Sequence, residues 1–140
     1  MDNLTRDARS KNMSKIRNKD TKPEEAVRKY LFSRGMRFRK NDRRYPGKPD
    51  VILPKYRAAV FVNGCFWHHH TECTDFYLPK TNSVFWEKKL TGNAVRDESN
   101  YYRLTADGWK VIVVWECELK RAVRDKRLEQ LYCEIVSEAY

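Results

Sequence analysis

A chain of 140 residues suits one compact domain around a single core. Lysine and arginine number 29 against 19 acidic residues, a formal net charge of +10, which selects polyanionic partners such as phosphate backbones or anionic membranes. No apolar run approaches the roughly 20 residues of a membrane span, and the polar start MDNLTRDARSKN has no signal-peptide core, so a cytoplasmic protein is expected.

Residues 1–20 are polar and basic, with only Leu4, Met13 and Ile16 to bury, and read as an arm ordered by a partner. Residues 21–140 then form the folded domain. Thr21-Lys22-Pro23-Glu24 combines a hydroxyl cap, a first-turn proline and a carboxylate at the third position, which predicts a helix start. Val27, Tyr30, Leu31 and Met36 are expected on its apolar face, with Gly35 as the stop. Arg37-Phe38-Arg39 alternates like a strand, Pro46-Gly47 marks a turn, and Asp50 leads into a strand Val51-Ile52-Leu53. Ala58 to Val62 is a continuous apolar run, the pattern of a buried central strand.

Residues 63–82 are crowded with Gly, Cys, His, Thr, Asp and Pro, and predict a long loop that something must hold. A helix follows from Ser83 to Ala106, ended by Asp107-Gly108, with Phe85, Leu90, Val95, Tyr102 and Leu104 as its apolar positions. Trp109 to Trp115 reads as a strand, and Arg124 to Ala139 as a last helix with Leu128, Leu131, Ile135 and Val136 on one face. This order of elements indicates an α/β sandwich with a mixed sheet.

The segment from Cys65 to Cys73 places two thiols around three imidazoles within nine residues. In a reducing compartment such a cluster binds metal rather than forming disulfides. Cys65, one histidine, Cys73 and Cys117 complete a tetrahedral set, and a histidine in place of a fourth thiolate favours zinc over iron–sulfur. Cys133 is expected in the core of the last helix. A histidine not spent on the metal, such as His68, is free for proton transfer near neutral pH.

Pro46-Gly47-Lys48-Pro49-Asp50 holds a carboxylate at the mouth of a buried strand, where it suits a divalent cation. PD-x(n)-(E/D)-x-K nucleases carry their second acid and lysine on the next strand. Here that strand, Ala58 to Asn63, has neither.

PGKPD, VFVNGCFWHHH, Cys73, FWEKKL, the Arg96-Asp97 pair and GWKVIVVWEC together resemble the very-short-patch repair (Vsr) endonucleases over about Arg9 to Glu118. The resemblance implies a restriction-endonuclease-like core, a structural Zn2+ and Mg2+-dependent nicking of DNA at T:G mismatches. It assigns the magnesium to Asp50 and the main-chain carbonyl of Val62, assistance of the attacking water to His68, and a further active-site acid to Glu24. The zinc ligands carried over are Cys65, His70, Cys73 and Cys117. Phe66 and Trp67, with Met13 from the arm, match residues wedged into the duplex, where unstacking is cheapest at a mismatch. Lys89 and Asn93 match positions facing the DNA. Two departures stand out. The spacing from His68 to Cys73 is one residue longer than usual, which leaves His69 and His70 both open as the ligand, and Asn63 replaces a histidine found in some members. The reading is a monomeric, nucleoid-associated enzyme acting on double-stranded DNA, with other mismatch-repair proteins as further partners. A related nuclease with another target, and a zinc-dependent nucleic-acid-binding module without catalysis, are the alternatives.

Overall fold

A computed structural model of the chain describes residues 21–74 and 76–137. Its elements run α1 (Lys22–Ser33), β1 (Val51–Leu53), β2 (Ala58–Asn63), α2 (Ser83–Ala106), β3 (Lys110–Trp115) and α3 (Arg124–Val136). Met13 and the rest of the arm, and Ala139, lie outside the described residues.

Among the described residues the sheet has three strands in the order β1-β2-β3. β1 pairs with β2 antiparallel, with Val51 opposite Val60, and β2 pairs with β3 parallel, with Val62 opposite Val114. The mixed sheet and the central place of Ala58 to Val62 agree with the sequence pattern. Every residue of β2 is buried because both of its faces are covered. Val60 and Val62 join Val27 and Leu31 of α1 and Leu128, Leu131 and Ile135 of α3 in one cluster. Ala59 and Phe61 point the other way and pack with Leu104 of α2.

Local signals set the ends of the helices. Thr21 and Glu24 form a reciprocal capping box, Thr21 N–H donating to Glu24 Oε2 at 2.8 Å and Glu24 N–H to Thr21 Oγ1 at 3.4 Å. Gly35, at φ +83°, turns the chain out of α1. Met36 therefore lies beyond the helix, not on its face, and is buried by the returning chain. Gly108, at φ +86°, ends α2 as Asp107-Gly108 foretold.

Four further expectations need correction. Arg37-Phe38-Arg39 makes only an isolated bridge, Arg39 to Ile52, because a short segment at the sheet edge satisfies its backbone without a ladder. The third strand begins at Lys110 rather than Trp109, whose N–H caps α2 by donating to the Leu104 carbonyl. Cys133 is exposed on α3 rather than in the core. Phe85, Val95 and Tyr102 are likewise exposed, since the inner side of α2 is turned towards a polar site. No described helix is long and apolar enough to cross a membrane.

Leu31 is fully buried where α1 meets the sheet. Leu31→Ala is expected to cost about 2–5 kcal/mol, as for other buried leucines. Urea unfolding measures it, and a cost below about 1 kcal/mol would mean that α1 is not fastened there.

Candidate active site and metal centre

The antiparallel register brings the residue before β1 beside Phe61 and Val62 of β2. Asp50 uses this position: its Oδ2 accepts the Val62 N–H at 2.6 Å. Arg28 of α1 donates from Nε and Nη2 to the Asp50 carbonyl at 3.3 and 3.1 Å, fixing the backbone of the same residue. Glu24 lies one turn earlier on α1, only 2% exposed, and hydrogen-bonds the Asp50 carboxyl. Asp50, Glu24, Val62, Asn63, His68, Asp97, Asn41, Arg43 and Lys48 line one cleft of about 280 Å³.

Burial pushes the Asp50 carboxyl up to about 8, and the neighbouring Glu24 adds to the rise, while Val62 N–H and Arg28 oppose it. A charged Asp50 carboxylate beside a second carboxyl is costly in a buried place. A divalent ion would offset that cost, so the donor set fits one.

His68 stands across the cleft, and its Nδ1 lies 2.5 Å from Asp97 Oδ2. Both groups are partly buried. Asp97 was visible in the sequence only as half of an Arg-Asp pair. Asn93, Asp97 and Tyr101 recur at every fourth position, and that single helix stripe is the signal that could have found it. Asn93 Nδ2 donates to the Trp67 carbonyl at 3.0 Å, so it fastens the loop after β2 to α2. Tyr101 OH accepts from Asn63 Nδ2 at 2.7 Å, and burial pushes its phenol above the ordinary value. Lys89 is exposed and does not line the cleft.

Three residues of the second cluster lie in the same loop, and the fourth follows β3. One ligand atom each from Cys65, His70, Cys73 and Cys117 falls within 4.8 Å of all the others. Cys65 follows β2 and Cys117 follows β3, so the parallel pairing delivers two thiols from neighbouring strand ends. His70 stacks on Trp115 at 4.0 Å between ring centroids and 7° between planes, and its N–H donates to the Cys65 carbonyl at 2.9 Å. His69 has a left-handed backbone, φ +56°, which throws successive imidazoles apart. Its Nε2 lies 3.3 Å from Glu87 Oε1 instead, so His70 is the histidine that the fold brings to the thiols. Burial pushes the Cys65 and Cys117 thiols up. A metal ion in place of the thiol protons removes that penalty, and the donor set, three sulfurs and one imidazole nitrogen, could hold one.

The same loop and the start of α2 also build an aromatic wall. Phe66 lies 5.1 Å from Trp67 and 5.6 Å from Trp86, and continues to Phe76 and Tyr77. Trp67 also meets Trp86 at 6.1 Å, and its indole N–H has no acceptor among the described residues. Tyr77 is 67% exposed and Phe85 58%, an expense of apolar surface that a closed core would not make.

The family model for the DNA mismatch endonuclease Vsr matches residues 1–75. The chain belongs to the Vsr family. A type II nicking enzyme, V.NmeAIP, of Neisseria meningitidis serogroup A is 52% identical over 135 residues, covering 96% of both chains. The type II nicking enzyme V.XorIIP of Xanthomonas oryzae pv. oryzae is 44% identical over 118 residues, 84% of this chain and 86% of its own. The DNA mismatch endonuclease Vsr of Escherichia coli is 40% identical over 131 residues, 89% of this chain and 83% of its own. This Vsr chain is therefore an endonuclease acting on DNA, and a binding module without catalysis drops out.

The raised Asp50 value has a sign that can be measured. A carboxyl whose folded value exceeds its unfolded one favours the neutral form on folding, so stability is lost as pH rises from about 4 towards 8. In this Vsr protein, Asp50→Asn keeps the shape without the charge. Without added divalent cation, its thermal midpoint should exceed that of the parent by a margin that grows across this range. A margin independent of pH would show that the Asp50 charge is already compensated.

Proposed function

We propose that the chain is a magnesium-dependent enzyme that nicks one strand of duplex DNA 5′ to the thymine of a T:G mismatch, the lesion left by deamination of 5-methylcytosine. The observation that carries this reading is the convergence of Asp50, Glu24 and His68 on one cleft, with His68 following directly in the chain on Phe66 and Trp67, which pack with Trp86. Hydrolytic groups and partly exposed aromatic rings answer the two requirements of cutting at a weak base pair. The T:G target itself follows from the resemblance to the Vsr endonucleases.

On this reading Asp50 and the main-chain carbonyl of Val62 hold the magnesium, with Glu24 behind them. When bound, the ion supplies Lewis-acid charge for the phosphate and lowers the pKa of water. His68 does the proton work. Asp97 accepts from Nδ1–H, which leaves Nε2 as the lone-pair nitrogen facing the attacking water, and it steadies the imidazolium that forms. Arg28 and the Val62 N–H keep Asp50 in register with His68 throughout.

Phe66 and Trp67, together with Met13 of the arm, enter the duplex beside the mismatch, where unstacking costs least. Asn93 takes part through the Trp67 carbonyl and Lys89 through the phosphate backbone. Zinc occupies Cys65, His70, Cys73 and Cys117, a closed set of four with no position left for chemistry. We further propose a basic DNA-binding arm over 1–20, a single endonuclease domain over 21–140 on a restriction-endonuclease-like core, and action as a cytoplasmic, nucleoid-associated monomer alongside other mismatch-repair proteins.

A nicking assay on duplexes with one T:G pair in varied flanks, with and without magnesium, tests this directly. Asp50→Ala should abolish nicking while folding and zinc content persist, and full activity in that variant would remove Asp50 from the metal site. Trp67→Ala should lower discrimination between mismatched and paired duplexes by more than it lowers binding to either. Equal losses on both duplexes would rule out a wedge.

A further inference from the structure

Within the segment joining α1 to β1, residues 37–48 carry Arg37, Arg39, Lys40, Arg43, Arg44 and Lys48 against one acid, Asp42. Twelve residues thus hold half of the net charge of +10. A solvated basic loop would be the ordinary explanation, but this loop is held at several points. Arg39 and Ile52 exchange main-chain hydrogen bonds at 3.0 and 2.8 Å. Tyr45 meets Trp109 edge-on at 5.1 Å. Gly47, at φ +78°, sits so close to α2 and β2 that a Cβ would lie 3.0 Å from Phe61 and 3.1 Å from Asn100. The turn then places Lys48 at φ +48°, a backbone disfavoured for a residue with a side chain.

Pairing sorts the cations of this loop. Asp42 accepts from Arg44 Nε at 3.0 Å and Nη2 at 2.7 Å, and the Arg44 guanidinium holds its carboxyl at about 2. Arg44 is thereby neutralised. Arg43 and Lys48 are exposed, make no ion pair among the described residues, and both line the cleft with Asp50 and His68. Two unneutralised cations on a pinned loop, beside a carboxylate pair suited to a divalent ion, make a preorganised place for an anion. The anion whose strand must cross this cleft is the DNA phosphodiester.

We infer that Arg43 and Lys48 grip the DNA phosphates flanking the scissile bond, a binding charge supplied by the loop before β1. The inference rests on the nicking function proposed above. Phosphate contacts do not read base identity, so this grip supplies affinity, and discrimination stays with the aromatic wall.

The test is duplex binding by Arg43→Ala, Lys48→Ala and the double variant over a series of salt concentrations, with nicking kinetics alongside. Lys126→Ala, an exposed cation on α3 outside the cleft lining, is the control. Each single change should weaken paired and T:G duplexes by the same factor, roughly three- to tenfold, and flatten the slope of log K against log salt by about 0.9. KM should rise while kcat stays within about twofold and the thermal midpoint holds. Lys126→Ala should leave the slope unchanged. Unaltered slope and affinity in the double variant would overturn the grip. So would a fall in kcat with affinity intact, which would place the two cations on the reacting phosphate instead. If the parent protein nicks no duplex, the proposed nicking function falls, while the salt slopes still decide whether Arg43 and Lys48 hold phosphate.

Discussion

The four-donor cluster of Cys65, His70, Cys73 and Cys117 is the constraint on which the rest of the site depends. The chain between β2 and α2 has no helix or strand of its own, yet it carries Phe66, Trp67 and His68. A loop of that length cannot aim three side chains unless its conformational freedom is removed. A metal ion held by the cluster would remove it, tying both ends of a nine-residue stretch to the ends of two parallel strands. The left-handed His69 and the stacking of His70 on Trp115 then decide which imidazole faces the thiols and which faces the cleft.

Helix α2 completes the aim from the other side. Its inner stripe is polar at Asn93, Asp97 and Tyr101, and these groups meet the Trp67 carbonyl, the His68 ring and the Asn63 amide respectively. A helix usually buries an apolar stripe. Here the stripe is given over to holding the loop, and apolar side chains such as Val95 and Tyr102 are left in solvent. On the functional reading, stability is given up locally to position reacting groups, as is common at functional sites.

The carboxylates show the same trade. Glu24 belongs to a capping box and would be an ordinary helix-start residue if it were exposed. The packing of α1 on the sheet buries it against Asp50, and burial with this neighbour raises the Asp50 carboxyl well above the ordinary carboxylate range. The cationic loop shares the cleft with this acid pair, and the aromatic wall belongs to the segment that carries His68. On the functional reading, stacking recognises weak pairing and charge supplies attraction, and the two are separable because they reside on different segments.

The helix limits at Thr21 and Gly108, the buried central strand and the thiol-rich loop could all be read locally, because caps, glycine turns and continuous apolar runs act through neighbours in sequence. So could the candidate donors Asp50, Cys65, Cys73 and Cys117, whose residue types already limit their chemistry. The tertiary structure decided what depends on register and packing. It brought Asp97 to His68, set Arg28 and Glu24 on Asp50, separated His70 from His69, and exposed Cys133 and Tyr102 where periodicity had buried Cys133 and counted Tyr102 as apolar. Those outcomes turn on which face of a helix meets which strand. No local pattern contains that information, because residues 29 positions apart, like His68 and Asp97, meet only after the sheet and α2 have packed.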